Sequence, residues 1–146
     1  MKALLQRVAE AAVEVEGEGR RGIRRGLVVF VGIQRGDRPE EADSLARKVV
    51  KYRLFEDEAE KMNLSVQDVK GDLLVVSQFT LCADTRKGCR PSFDSAAPPA
   101  EAEPLYQRFV EVLRASGLRI ETGTFGGSMR VQLLNEGPAT FLLEVP

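Results

Sequence analysis

Hydrophobic and polar positions along the chain follow two rhythms. Over Lys2–Glu16 they alternate, first around Leu4, Gln6 and Val8, then at Val13-Glu14-Val15-Glu16, which predicts an extended segment bent near Ala9–Ala12. Gly17–Gly19 reads as a turn and Arg20–Ile23 as a short returning strand. Leu27–Ile33 (LVVFVGI) is a β-branched apolar run, hence a buried strand, in which Gly32 marks a bulge or a close backbone approach. At Asp37-Arg38-Pro39-Glu40 the rhythm changes to helical. Asp37 is placed to cap, Pro39 lies in the first turn, and Leu45, Ala46, Val49 and Val50 form an apolar stripe up to about Tyr52. Arg53–Phe55 reads as strand, Glu56–Lys61 as a charged turn, and Met62–Val69 fits no single period.

The next stretch, Asp72–Phe93 (DLLVVSQFTLCADTRKGCRPSF), organises the rest. Leu73–Val76 is a buried strand. The chain then turns polar at Ser77, Gln78 and Thr80 and runs into the cations Arg86, Lys87 and Arg90. Either the strand delivers hydroxyls and an amide to a site at its end, or it simply ends in a solvated loop. A second helix is expected over Ala100–Ser116, with Leu105, Phe109, Val112 and Leu113 on its apolar face and Gly117 as its stop. Pro104 must sit in its first turn or push its start downstream, since deeper inside it costs about 3 kcal/mol. Leu118–Glu121 and Met129–Leu134 read as strands. Asn135–Pro138 breaks the pattern, and Thr140–Val145 closes the chain. Strands that are mostly sequential, with two helices inserted, favour a single α+β domain over residues 1–146 rather than a doubly wound sheet.

Composition narrows the chemistry. The chain has 146 residues, 43% of them hydrophobic, enough for one real core. Its net charge of -1 leaves any nucleic-acid contact to local cations. There is no histidine, so Ser-His-Asp and Cys-His catalysis are excluded and the commonest zinc ligand is missing. Two cysteines, Cys82 and Cys89, are too few for a thiolate zinc site and suit a reducing cytosol. Arg7 and Glu10 interrupt the N-terminal apolar residues, which argues against a leader or a membrane span. No GxxxxGK[ST] or GxGxxG spacing occurs, so Gly123–Gly127 reads as a turn, and the acidic run Glu56, Asp57, Glu58 and Glu60 as a solvated loop rather than a metal site. No metal or cofactor is expected. Ser77 and Thr80 are candidate hydroxyls without a local base.

Two segments then stand out together. Ser77-Gln78-Phe79-Thr80 and Asn135-Glu136-Gly137-Pro138-Ala139-Thr140 resemble the SQxT and NxGPxT signatures of the D-aminoacyl-tRNA deacylases. Gln6-Arg7-Val8, FEDEAEKMNLS over Phe55–Ser65 and ADTRKGCRPSF over Ala83–Phe93 also look like that family, so the resemblance spans essentially the whole chain. It implies mostly antiparallel sheets forming a barrel-like core with two main helices. It implies a homodimeric cytoplasmic hydrolase that cleaves the ester between a D-amino acid and the 3′-terminal adenosine of tRNA, and also clears glycine from mischarged tRNA. By the same resemblance, Ser77, Gln78, Phe79 and Thr80 form the reacting pocket. A Gly137–Pro138 cis bond is inserted from the partner subunit, and Asn135, Thr140, Arg7 and Met129 complete the substrate site. Arg86, Lys87 and Arg90 meet the tRNA end, with no membrane or DNA partner. A non-catalytic RNA-binding module would need the basic loop without Ser77, Thr80 or Pro138. A small-molecule esterase would need the pocket without the cations.

Overall fold

A computed structural model describes residues 1–145. The chain runs β1 (Lys2–Val15), β2 (Gly19–Ile23), β3 (Gly26–Gly32), α1 (Pro39–Lys51), β4 (Phe55–Glu56), β5 (Met62–Leu64), β6 (Asp72–Ser77), a 3-10 turn (Phe79–Cys82), α2 (Pro99–Arg114), β7 (Ile120–Thr122) and β8 (Met129–Glu144). The long first strand is the hub. It pairs antiparallel with β2 and β3 along one edge and with β8 along the other. From β3 the sheet continues to β6 and then β7, and both of these pairings are parallel. The six-stranded sheet is therefore mixed: three of its five pairings are antiparallel, in line with the expected majority, and two are parallel. The two parallel steps follow from the inserted helices, because a strand that returns in the same direction needs a long crossover.

The sheet curls into a nearly closed barrel. At the seam Arg119 donates to the Gly22 carbonyl (2.9 Å) and Arg21 to the Thr122 carbonyl (2.7 Å), linking the β7 end to β2. The alternation of each strand splits the core in two. Val8, Val13, Ile23, Val28, Leu74 and Val76 fill the barrel interior. Ala3, Leu5, Leu27, Val29, Leu73 and Val75 face the helices and pack on Leu45, Val49, Tyr106, Phe109 and Leu113. Tyr106 is buried, donates to the Val75 carbonyl at 3.2 Å, and has its phenol pushed up to about 12 by burial.

Several elements differ from expectation. Asp37 does not cap α1. Its carboxylate accepts from the Met1 ammonium (3.0 Å) and the Gln34 amide (2.7 Å), and the Arg38 amide is capped instead by Glu41 at 2.9 Å. Pro104 sits in the second turn of α2, whose helix begins at Pro99. Both Ala100 and Pro104 are exposed, so water can take the carbonyl that the missing N–H leaves free. The buried face of α2 is Ala102, Tyr106, Phe109, Val110 and Leu113, with Leu105 and Val112 at its flank. The β4–β5 pair forms a separate two-stranded sheet. Asn135–Pro138 does not end a strand. It lies within β8, where Glu136–Ala139 form a bulge.

Candidate active site

That bulge is the first half of the candidate site. On β1, Gln6 faces Thr140 and Val8 faces Asn135, so the single residue Arg7 opposes Glu136–Ala139. The four residues are pushed out of the ladder, and their backbone groups need other partners. Asn135 supplies them: its amide donates to the Arg7 carbonyl (3.0 Å) and the Ala139 carbonyl (2.9 Å), and its side-chain oxygen accepts from the Ala139 N–H (3.2 Å). Arg7, only 6% exposed, donates from Nε to the Glu136 carbonyl (3.1 Å) and from Nη1 to the Leu54 carbonyl (2.8 Å). Gln6 reaches the Thr140 hydroxyl at 3.1 Å. The Gly137–Pro138 bond is cis, and both residues are exposed at the tip of the loop. Gly137 has φ +142°, and a Cβ there would lie 2.9 Å from both the Ala139 nitrogen and Arg7 Nη2. Only glycine fits that geometry.

The second half lies where β6 leaves the sheet. Ser77 pairs with Val31, and Gln78 donates its N–H to the Val31 carbonyl at 2.8 Å. The chain then winds into the Phe79–Cys82 turn, packed on β3 so closely that a Cβ at Gly32 would sit 3.0 Å from Leu81 Cβ and 3.2 Å from the Gln78 carbonyl. The close approach expected at Gly32 is thus this turn. Inside it the Gln78 amide donates to the Thr80 hydroxyl. The Phe79 and Thr80 N–H groups donate to no protein acceptor among the described residues and stand at the turn's open N-terminal end.

Beside the turn is a cavity of about 400 Å³ lined by Ser77, Phe79, Phe93, Phe125, Arg35 and the apolar run Ala96–Pro99. Phe79 and Phe93 meet edge to face, 5.1 Å between centroids, and are 57% and 39% exposed at its rim. Phe93, Phe125, Arg35 and the Ala96–Pro99 wall were not singled out from the sequence. They come from separate segments, and only the aromatic in the Gly123–Gly127 stretch hinted that this loop does more than turn. Met129, grouped by expectation with the Gly137 side, instead packs against Gly123 and the barrel-interior cluster that holds Val76, next to Ser77.

Asp84 and Ser92 exchange backbone hydrogen bonds (2.7 and 2.9 Å) that close the basic loop. Arg86 is bidentate on Asp84 (2.9 and 2.7 Å), and its guanidinium holds that carboxyl down at about 2. Lys87 and Arg90 are exposed. Cys82 is buried, its thiol pushed up by burial, and Cys89 is exposed; both are free. Among the described residues no cluster of potential metal ligands forms, and no helix is long and apolar enough to cross a membrane.

The two halves do not meet within one chain. Arg7, beneath the Gly137 loop, pairs with Leu27, whereas Ser77 pairs with Val31 on the same strand β3. That offset alone is about 13 Å along the strands, and the loop and the turn also lie on strands separated by β1 and β3.

Comparison with known proteins agrees with the two motifs. The chain is 53% identical over 146 residues to a D-aminoacyl-tRNA deacylase of Geotalea uraniireducens, covering 100% of this chain and 94% of the relative. It is 55% identical over 144 residues to one of Thermotoga petrophila, covering 99% and 97%. A solved structure described as the c-Myc DNA unwinding element binding protein superposes with a TM-score of 0.92 at 43% identity, over 100% of this chain and 99% of that one. Another, described as a probable eukaryotic D-amino acid tRNA deacylase, shares the fold with a TM-score of 0.86 at 18% identity, over 99% and 98%. The D-Tyr-tRNA(Tyr) deacylase family model matches residues 4–144, and the chain belongs to that family.

Proposed function

We propose that the protein hydrolyses the ester of D-aminoacyl-tRNA, and of glycyl-tRNA, while sparing L-aminoacyl-tRNA, through a site shared by two subunits. Family membership supports the reaction. The observation that carries the selectivity is the Gly137–Pro138 loop, exposed at its tip and fixed from beneath by Asn135 and Arg7.

D- and L-esters carry the same groups, so a hydrogen-bond inventory cannot separate them; a rigid chiral surface can. A proline ring on a stapled loop is such a surface. Fitting or losing one methylene in a soft pocket is worth only about 1–3 kcal/mol, whereas a fixed wall rejects by steric clash. Glycine has no side chain to clash and passes. The separation of Ser77 from Gly137 within one chain supports insertion of the loop into the Ser77–Thr80 pocket of a second copy, which makes the protein a homodimer.

The ester carbonyl lies against the Phe79 and Thr80 N–H groups, which take up the negative charge as water adds. The hydroxyl of Thr80 accepts from the Gln78 amide, and among the described residues the only ionisable side chain lining the cavity is Arg35, which cannot take its proton. The 2′-hydroxyl of the terminal adenosine, adjacent to the ester, positions the attacking water. Thr80→Ala is therefore expected to retain substantial activity, and a trapped acyl-Thr80 adduct would overturn this route.

The deciding assay is hydrolysis of matched D- and L-aminoacyl-tRNA, with glycyl-tRNA and a free D-amino-acid ester as comparison. The expected order is D-aminoacyl- and glycyl-tRNA well above the free ester, with L-aminoacyl-tRNA essentially untouched. Equal turnover of the D- and L-substrates would refute the reading, and turnover of the free ester alone would point to a metabolite esterase. Duplex DNA, added as competitor, is expected to leave the rate unchanged, given a net charge of -1.

A further inference from the structure

Arg35 is the only charged side chain among the residues that line the apolar cavity beside the Phe79 turn. Its position is fixed. Its amide donates to the Ser95 carbonyl (2.9 Å), its Nε donates to the Asp94 carbonyl (2.7 Å), and the neighbouring Gln34 bridges to Ala96. With Nε used, the two terminal nitrogens of the guanidinium have no acceptor among the described residues and make no ion pair there, although six other arginines do. A guanidinium held by its neck, with its fork free at the rim of an apolar cavity, is suited to an oxyanion attached to an apolar group.

We propose that Arg35 binds the 5′-phosphate of the terminal nucleotide, and so selects an ester carried on an RNA end over one carried on a free nucleoside. This rests on the reading that the aminoacyl-adenosine occupies the cavity. In that reading the amino acid hangs from the ribose 3′ position and faces the Phe79 and Thr80 N–H groups. The base takes the apolar walls, and the chain must leave through the 5′-phosphate at the rim. The cations read from the sequence are less suited to that contact. Arg86 is already bidentate on Asp84, and Lys87 and Arg90 project from a surface loop, whereas Arg35 lines the cavity itself.

The test separates the phosphate from the nucleoside. Direct binding of adenosine and adenosine 5′-monophosphate to the intact protein is measured by calorimetry, for wild type, Arg35→Gln and Arg35→Lys. Wild type is expected to bind the monophosphate about ten-fold more tightly than adenosine, Arg35→Gln to bind the two equally, and Arg35→Lys to restore part of the preference. On the full substrate, Arg35→Gln should raise KM for D-aminoacyl-tRNA about ten-fold at nearly constant kcat, and make the salt slope shallower by about 0.7, one single-strand phosphate. Turnover of D-aminoacyl-adenosine should not change. Equal losses on both substrates would reduce Arg35 to a loop anchor, and an unchanged monophosphate preference in Arg35→Gln would overturn the assignment. Wild type that fails to prefer the monophosphate would overturn it even if D-aminoacyl-tRNA is hydrolysed. Loss of D-selective hydrolysis by wild type would instead sink the underlying reading.

Discussion

At the scale of single residues, Asn135 concentrates the most structure in one side chain. Its three hydrogen bonds satisfy backbone groups that the bulge removed from the ladder. Asn135→Ala should destabilise the protein by about 1–3 kcal/mol, the cost of partly buried polar groups left unpaired. Because the loop it staples is the proposed chiral wall, L-aminoacyl-tRNA turnover should rise more than D-aminoacyl-tRNA turnover falls. Urea midpoints and the D/L ratio measured on the same variant check both, and lost stability with an unchanged ratio would detach the loop from selectivity. The role of Asn135 was not legible in the sequence without the motif, because one of its acceptors is the Arg7 carbonyl on β1, 128 positions away. Arg7 itself sits on an alternating strand and is buried all the same. Its Nε and Nη1 donate to the Glu136 and Leu54 carbonyls, partners which no local pattern announces. Asp84 offers a pH test of the basic loop. Its carboxyl is held at about 2, mainly by the side-chain hydrogen bond to Arg86, below its ordinary value. The sign follows: the pairing contributes fully above the ordinary carboxylate value and is lost as pH falls through about 2. NMR titration of the Asp84 carboxyl should give that low midpoint in wild type and a higher one in Arg86→Gln, still below the ordinary value because the backbone N–H of residue 86 goes on donating to the carboxylate.

At the scale of elements, the sequence was most readable where burial follows the element's own period. The alternation of β1 and the stripe of α1 reported the one face that the fold buries, and the unbroken apolar runs of β3 and β6 reported burial on both faces. Where an element depends on distant partners, the reading slipped. β8 looked like two strands because its central residues leave the ladder, yet both arms pair with the same strand β1. The parallel pairing of β3 with β6 and β6 with β7 is set by the crossovers and not by composition. The second helix starts upstream of Pro104 because Ala102, Tyr106 and Phe109 lie on one buried stripe, and the packing of that stripe outweighs one lost backbone bond. That conflict predicts a gain. Pro104→Ala restores an N–H to the Ala100 carbonyl at an exposed position and should stabilise the protein by about 1–3 kcal/mol. The midpoint of thermal unfolding should rise by at least about 2 °C, since 1 kcal/mol moves a domain of this size by roughly that much or more. No change would mean that the helix start already relaxes around the proline.

At the scale of the whole molecule, the two motifs that single out this family sit on different parts of one barrel, about 13 Å apart along the strands before the sheet is crossed. On the proposed reading the pocket takes them from two chains, and a two-fold dimer would then build two identical shared sites. This makes a mixing experiment decisive. One variant blocks the pocket half, Ser77→Trp, and the other removes the wall, Pro138→Gly. Each alone is expected to lose D-selective hydrolysis, the first by losing turnover and the second by accepting L-substrate. Refolded together in equal amounts, half of the dimers are mixed, and each mixed dimer carries one site with both defects and one with neither. Intact sites are then about a quarter of the total. Because Pro138→Gly homodimers keep some D-turnover of their own, the readout is the excess of D-turnover over L-turnover, which should climb above that of either variant alone and of the unmixed pair. The solution mass should be that of a dimer throughout. If instead each site is built within one chain, no mixture can contain an intact site, and the excess stays at the level of the unmixed pair.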